Sequence, residues 1–310
     1  MFGKLFGAKK PTPPRPGAKA APPPPPKAPA LAKLRRENIK RRFTILSETG
    51  QGSMSRVYRA LDNKAGRTVC LKVQDKAKTA AAIARSTKIG RPTEGEIGVR
   101  LTHQNVVRTH DFGLSSIGEY FLVMDFIEGI NLQDLRKSRT IALPDRLELL
   151  AQAAEGLAEV HAKGFIHHDV GPKNLLVDRD DRVKLIDFGL AVPNTPTFRR
   201  PGNRTGTLNY MAPELLRREP TDERIDIFSL GATAFEFLTG RLPYDDANVS
   251  MATMMQRINI DPLDPAKANP RLPEDVCALL RRMIARRKED RWPDMATLPD
   301  ALRALAEAHA

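Results

Sequence analysis

The spacing of apolar residues changes period about halfway along the chain, and that change restricts the architectures open to it. Before it, Phe43–Ser47, Ser55–Leu61, Thr68–Val73, Val106–Phe112 and Glu119–Phe126 read as short strands between Gly, Asn and Asp turns. One helical candidate, roughly 77–101, interrupts them. After residue 140 the period is helical: Leu147, Leu150, Ala154, Leu157 and His161 share a face, Pro144 suits the first turn and Gly164 lies beyond the end. Further helices are predicted from Asp226 to Gly240 and from Pro273 to about Arg286. There is no internal repeat. A strand-rich lobe followed by a helix-rich lobe defines an α+β fold and places a large cleft between the two.

The chain has 310 residues and a formal charge of +13. Residues 1–42 carry +11 of it, from twelve Lys/Arg against Glu37, and the rest is nearly neutral. Ten prolines fall in residues 11–30, including Pro22–Pro26, so 1–42 is expected to be a disordered basic Pro/Ala-rich tail. Its charge reads equally as simple solvation or as weak binding to anionic lipid, as peripheral membrane contact, or to nucleic acid, with no specific nucleic-acid partner expected. Phe2, Leu5 and Phe6 share one side of a possible turn, too short to be stable alone in water. No stretch approaches the ~18–20 apolar residues of a transmembrane span. Two cysteines, Cys70 and Cys277, form no disulfide framework or metal spacing, and a cytoplasmic setting is expected.

The chemistry lies in an ordered series of motifs. Gly50-Gln51-Gly52-Ser53-Met54-Ser55-Arg56-Val57 sits between two strands, where glycines let backbone N–H groups approach phosphate oxygens. Alone it reads as a hairpin turn. Val69-Cys70-Leu71-Lys72 puts a lysine on a strand, and most such lysines point to water. Ile166-His167-His168-Asp169-Val170-Gly171-Pro172-Lys173-Asn174 is more specific, because Asp187-Phe188-Gly189 follows thirteen residues after Asn174. These supply oxygen ligands for Mg²⁺ and a carboxylate for a substrate hydroxyl. Gly206-Thr207, Tyr210-Met211-Ala212-Pro213-Glu214 and Asp226-Ile227-Phe228-Ser229-Leu230-Gly231 complete the series. Chance does not readily produce five such elements in this order and spacing.

On these motifs the chain resembles the eukaryotic-type (Hanks-type) protein kinases, and Arg56-Val57-Tyr58-Arg59-Ala60 looks most like their bacterial serine/threonine members. The resemblance covers about 43–308. It implies the two-lobed protein kinase fold: a small antiparallel β-rich N-lobe with one helix, about 43–126, and a larger α-helical C-lobe, about 127–308. It implies ATP and Mg²⁺ as cofactors and protein Ser/Thr hydroxyls as acceptors. By that analogy Gly50, Gly52, Ser55 and Val57 cover the nucleotide, Lys72 holds its α/β-phosphates, Cys70 roofs the adenine and Leu176 floors it. Asp125 and Ile127 present backbone groups to the adenine edge behind the gatekeeper Met124. Asp169 takes the acceptor proton, and Asn174 and Asp187 hold Mg²⁺. Asp226 anchors the catalytic loop, and Glu214 pairs with Arg291.

The departures are as informative. Gly171 stands where serine/threonine kinases carry a lysine, and Lys173 is expected to supply the missing cation. His168 replaces the usual arginine, so activity is expected without activation-loop phosphorylation. The partner of Lys72 should be Glu94 or, second, Glu96, on a stretch broken by Gly90, Pro92, Gly95 and Gly98. A short, mobile helix is expected there, one that a regulatory partner could order. These departures also support a second reading, a nucleotide-binding pseudokinase acting as scaffold or regulator.

Overall fold

A computed structural model describes residues 34–51, 55–77, 79, 89–201, 205–244 and 258–310. In the N-lobe, β1 (Arg36–Glu37) and the single-turn α1 (Ile39–Arg42) precede β2 (Phe43–Gln51), β3 (Ser55–Asp62) and β4 (Arg67–Gln74). Then follow α2 (Glu94–Gly98), β5 (Thr109–Ser115) and β6 (Tyr120–Asp125). The sheet order is β1-β5-β6-β4-β3-β2, antiparallel except where β1 joins β5. Alternation puts Val69, Leu71 and Val73 on one face with Phe43, Ala60, Phe121 and Val123, which form the lobe's own core.

The C-lobe begins with β7 (Gly129–Asn131), α3 (Leu132–Ser138) and the long α4 (Leu143–Ala162). Strands β8 (Phe165–Ile166), β9 (Leu175–Asp178), β10 (Val183–Leu185) and β11 (Val192–Pro193) form two small sheets. Helices α5 (Pro213–Arg217), α6 (Arg224–Thr239), α7 (Glu274–Met283) and α8 (Leu298–Ala308) follow, with a single helical turn, Pro265–Ala268, ahead of α7. Helix α4 has Pro144 in its first turn and buries Leu147, Leu150, Ala154 and Leu157, as the 3.6-residue period requires. Helix α6 is apolar all round and almost wholly buried, so it forms the axis of the lobe. Gly240 closes it at φ +78°, a left-handed cap that glycine adopts without strain.

Three expectations are corrected. Residues 34–42, assigned on composition to the tail, belong to the folded lobe. Arg36–Glu37 pairs with Leu114–Ser115, and the Arg42 guanidinium meets Asp62 at 2.8 Å and Asp111 at 2.5 Å. The Arg42 charge is taken up by this internal ion cluster, while Arg36, Lys40 and Arg41 stay exposed. Residues 1–33, the rest of the tail, lie outside the described residues. The fourth predicted strand is shifted from 106–112 to Thr109–Ser115, Val106 making only an isolated bridge to Leu185.

The third correction concerns the helix predicted over 77–101. Ala77 and Thr79 are helical, 78 and 80–88 lie outside the described residues, and within 89–101 the helix is only five residues, Glu94–Gly98. This turn is not loosely held. Thr93 and Glu96 form a capping box, and Gly95, Glu96, Ile97 and Gly98 are buried. The glycines permit contact closer than any side chain would: a Cβ on Gly95 would lie 2.4 Å from the Phe112 ring and 2.5 Å from the Tyr120 hydroxyl. Gly95→Ala should therefore cost about 1–3 kcal/mol in overpacking, outweighing the ~1 kcal/mol gained in helix propensity. Urea unfolding checks this, and a stabilised variant would contradict the close-packing account.

Candidate active site

Lys72 lies mid-strand on β4, in register opposite Val57 of β3 and Leu122 of β6, and this central place in the sheet fixes the face on which it emerges. Its ammonium is 2.8 Å from Glu94 Oε1 and 3.2 Å from Asp187 Oδ1. Burial alone would lower the lysine pKa, but the two carboxylates more than reverse this and the net shift is upward. Glu94 is enclosed, and its desolvation raises its pKa against the pull of Lys72. The Gln74 amide donates to its second oxygen at 2.9 Å. Glu96, the other acid considered, turns back onto Thr93 and does not meet Lys72.

The C-lobe brings Asp169, Asn174 and Asp187 to the same cleft. The Asp226 carboxylate, buried at the start of α6, accepts the backbone N–H of His167 at 2.7 Å and of His168 at 3.0 Å. His161 Nε2 meets Oδ2, the oxygen that also accepts from His167, at 2.9 Å. This grip keeps His168 at φ +69°, a left-handed conformation that a non-glycine residue adopts only when its surroundings impose it. The turn then points Asp169 outward. Its Oδ1 accepts from both the amide and hydroxyl of Thr207 at 2.8 Å, and its Oδ2 from the Asn174 amide at 3.1 Å.

Asn174 also donates to the Asp169 carbonyl at 2.8 Å, so its own side-chain oxygen faces away from that residue. Its carbonyl accepts from Ile186 N–H at 3.0 Å, which sets Asp187 beside it. Phe188 is buried, with its ring 5.3 Å from the His167 ring at 68°, and this anchor leaves Asp187 directed toward Lys72. Among the described residues no group of three or more His, Cys, Asp or Glu side chains could cage a metal. One amide oxygen and one carboxylate instead suit Mg²⁺, which keeps phosphate and water in most of its positions.

For the nucleotide base, Cys70 pairs with Met124 across β4 and β6, and Leu176 lies on β9 below. The Asp125 side chain is taken by His110 Nε2 at 2.6 Å, whereas the Ile127 amide makes no hydrogen bond to another described residue and is open to an acceptor. Gly50 and Ser55 fall on the paired strands β2 and β3, and Gly52 lies outside the described residues. Lys173, on the short turn Pro172–Asn174, is exposed.

Sequence reasoning missed Arg91. Its guanidinium donates to the Gly189 carbonyl at 2.6 Å and the Ala191 carbonyl at 3.1 Å, tying the entrance of α2 to the segment that follows Asp187. Its acceptors are backbone atoms about a hundred residues away, and no sequence pattern marks them.

His168 gives the site a pH signature. Burial chiefly, with Arg91 and His167 adding to it, lowers its pKa from 6.5 to about 4, so it is neutral at physiological pH. Above about pH 6.5 the group is neutral whether the chain is folded or not, and it contributes no pH dependence. As pH falls from there toward 4, the unfolded chain takes up a proton that the folded one refuses. Stability should fall by about 3 kcal/mol over that window, and His168→Asn should flatten the slope. Urea unfolding at pH about 7.5 and about 5 checks this, and equal slopes in both proteins would contradict it.

The match to known proteins follows this geometry. Residues 43–301 match the protein kinase domain family, and the chain belongs to it. It is 34% identical over 257 residues to serine/threonine-protein kinase PknE of Mycobacterium tuberculosis, covering 82% of this chain and 44% of that one. It is 30% identical over 271 residues to a probable serine/threonine-protein kinase, pknA2, of Bifidobacterium longum, covering 86% of this chain and 35% of that one. With PknB of Mycobacterium leprae the identity is 30% over 258 residues, 80% of this chain and 40% of the relative. The chain thus spans less than half the length of these relatives. No helix among the described residues is long and apolar enough to cross a membrane.

Proposed function

We propose that the chain is a serine/threonine protein kinase that transfers the γ-phosphoryl group of Mg-ATP to protein Ser/Thr hydroxyls. One observation carries this reading: Lys72 is paired at once with Glu94 and Asp187, while Asp169 is held by Thr207 and Asn174. Mg-ATP supplies the electrophilic phosphorus and a divalent charge that offsets negative charge on the phosphates. Lys72 orients the α/β-phosphates, and Asn174 and Asp187 are the metal's protein ligands. Asp169 accepts the proton of the incoming hydroxyl through the oxygen lone pairs that Thr207 and Asn174 leave open. Thr207, bonded to that same carboxylate, leaves room for a short aliphatic hydroxyl and so favours Ser/Thr.

Lys173 follows Asp169 by four residues and offers its cation to the transferring phosphoryl group, in place of the lysine absent at Gly171. Gly171 itself packs against Tyr210, where a Cβ would stand 3.2 Å from the ring. A longer side chain there would have to displace that ring or point away from it. Lys173→Ala should lower kcat about tenfold to a hundredfold with little change in the KM for ATP. An unchanged kcat would remove Lys173 from the reaction.

With His168 neutral and Arg91 already engaged, neither supplies a free cation to a loop phosphate, so the kinase is active without phosphorylation of Thr195, Thr197, Thr205 or Thr207. A regulatory partner, if the chain uses one, acts on the entrance to α2, and the basic tail makes at most weak contact with an anionic membrane from a cytoplasmic location. The test of function is phospho-amino-acid analysis after transfer from labelled Mg-ATP. Label on Ser or Thr supports the reading, and label on Tyr alone overturns the acceptor class.

A further inference from the structure

Helix α3 ends in Arg136, Lys137 and Ser138, Arg139 caps it, and the turn through Thr140 and Ile141 brings Arg146 of α4 back beside them. With Phe237 of α6 these residues line an open cavity of about 480 Å³ whose wall contains no acidic side chain. Arg139 is neutralised outside it by Asp181. Arg146 has no ion-pair partner among the described residues: its Nε is buried with no hydrogen-bond partner among them, and burial lowers its pKa. A guanidinium with one N–H withdrawn from water and no acceptor for it, at the wall of an acid-free cavity, suits an anion.

The cavity adjoins the catalytic centre through a line of contacts. Arg136 lies against the end of α6, its Nη1 3.2 Å from where a Cβ on Gly240 would stand, and its charge acts on the Tyr210 phenol. Tyr210 donates to Glu236 at 2.6 Å and rests its ring on Gly171, two residues from Asp169. We infer that this cavity binds an acidic stretch of the protein substrate while the acceptor hydroxyl sits at Asp169. The inference rests on the kinase reading and specifies its substrate class. The anionic group is a carboxylate or a phosphate already on the substrate. The chain's own N-terminus is a poor occupant, since residues 1–33 hold seven Lys/Arg and no acid.

The test uses the full chain and a set of Thr peptides of one sequence. Three Glu residues are moved stepwise along either side of the Thr, one peptide has no acidic tract, and one carries phosphoserine in the tract. At one side and spacing, kcat/KM should exceed that of the tract-free peptide by about tenfold, mainly through KM, and the advantage should shrink with salt. Lys137→Glu and Arg146→Gln should each reduce that ratio several-fold, while Arg146→Lys retains most of it. A larger advantage for phosphoserine than for Glu would support the proposal and identify phosphate as the preferred anion. Equal use of every peptide by the wild type, or a preference that survives the Lys137→Glu/Arg146→Gln double substitution, overturns the proposal and leaves the kinase reading standing. No transfer to any peptide or to the chain itself overturns both.

Discussion

Asp169→Asn should leave a folded protein that still binds nucleotide and transfers phosphate about two to four orders of magnitude more slowly. The substitution keeps the size of the side chain and removes its capacity to take a proton. It also disturbs the geometry, because both oxygens of Asp169 face donors: Thr207 N–H and O–H on one side, the Asn174 amide on the other. An asparagine must turn its NH₂ toward one of these, losing an acceptor where a donor stays in place. Single-turnover transfer from labelled ATP, beside nucleotide-induced thermal stabilisation, separates the two effects. A rate within tenfold of wild type would remove Asp169 from its assigned role.

The largest loss of stability should come from Arg291→Ala. Its two terminal nitrogens each meet a Glu214 oxygen at 2.7 Å, and both side chains are nearly sealed, at 0% and 5% exposed. The same guanidinium donates to the carbonyls of Ala285 at 2.8 Å and Arg224 at 3.0 Å, and lies 4.9 Å from the Phe228 ring centroid. Alanine leaves the Glu214 carboxylate buried and unpaired, a loss of about 3–5 kcal/mol. Because Glu214 sits at the start of α5, just beyond Tyr210 and Thr207, the acceptor side of the cleft should loosen with it. Urea unfolding measures the stability, and the KM for a protein substrate reports the loosening. Removing both charges in Glu214→Leu/Arg291→Met should cost less than Arg291→Ala alone, and the reverse order would contradict the electrostatic account.

The parts legible in the sequence were those whose chemistry requires a particular side chain at a particular spacing. Asp169 reads as a proton acceptor beside two oxygen ligands, Asn174 and Asp187, and the three do share one cleft; α4 and α6 declared themselves by period and by terminal Gly. What stayed hidden depended on contacts distant in sequence. The glycines around Glu94 look like helix breakers until Phe112 and Tyr120 are seen pressed against Gly95. Arg42 looks like one more tail charge until its partners appear 20 and 69 residues further on, at Asp62 and Asp111. Arg91 is the extreme case, since it binds only main-chain carbonyls.

On the proposed reading, this chain as folded and without a loop phosphate is already arranged for phosphoryl transfer. The most direct measurement is single-turnover transfer of labelled γ-phosphate by protein freed of phosphate, beside Lys72→Met. Transfer without a lag, lost in Lys72→Met, is the predicted result. Mg-ATP binding by the wild type with no transfer, even after the loop has been phosphorylated, would contradict the account, and activity appearing only after loop phosphorylation would contradict the part assigned to Arg91 and His168.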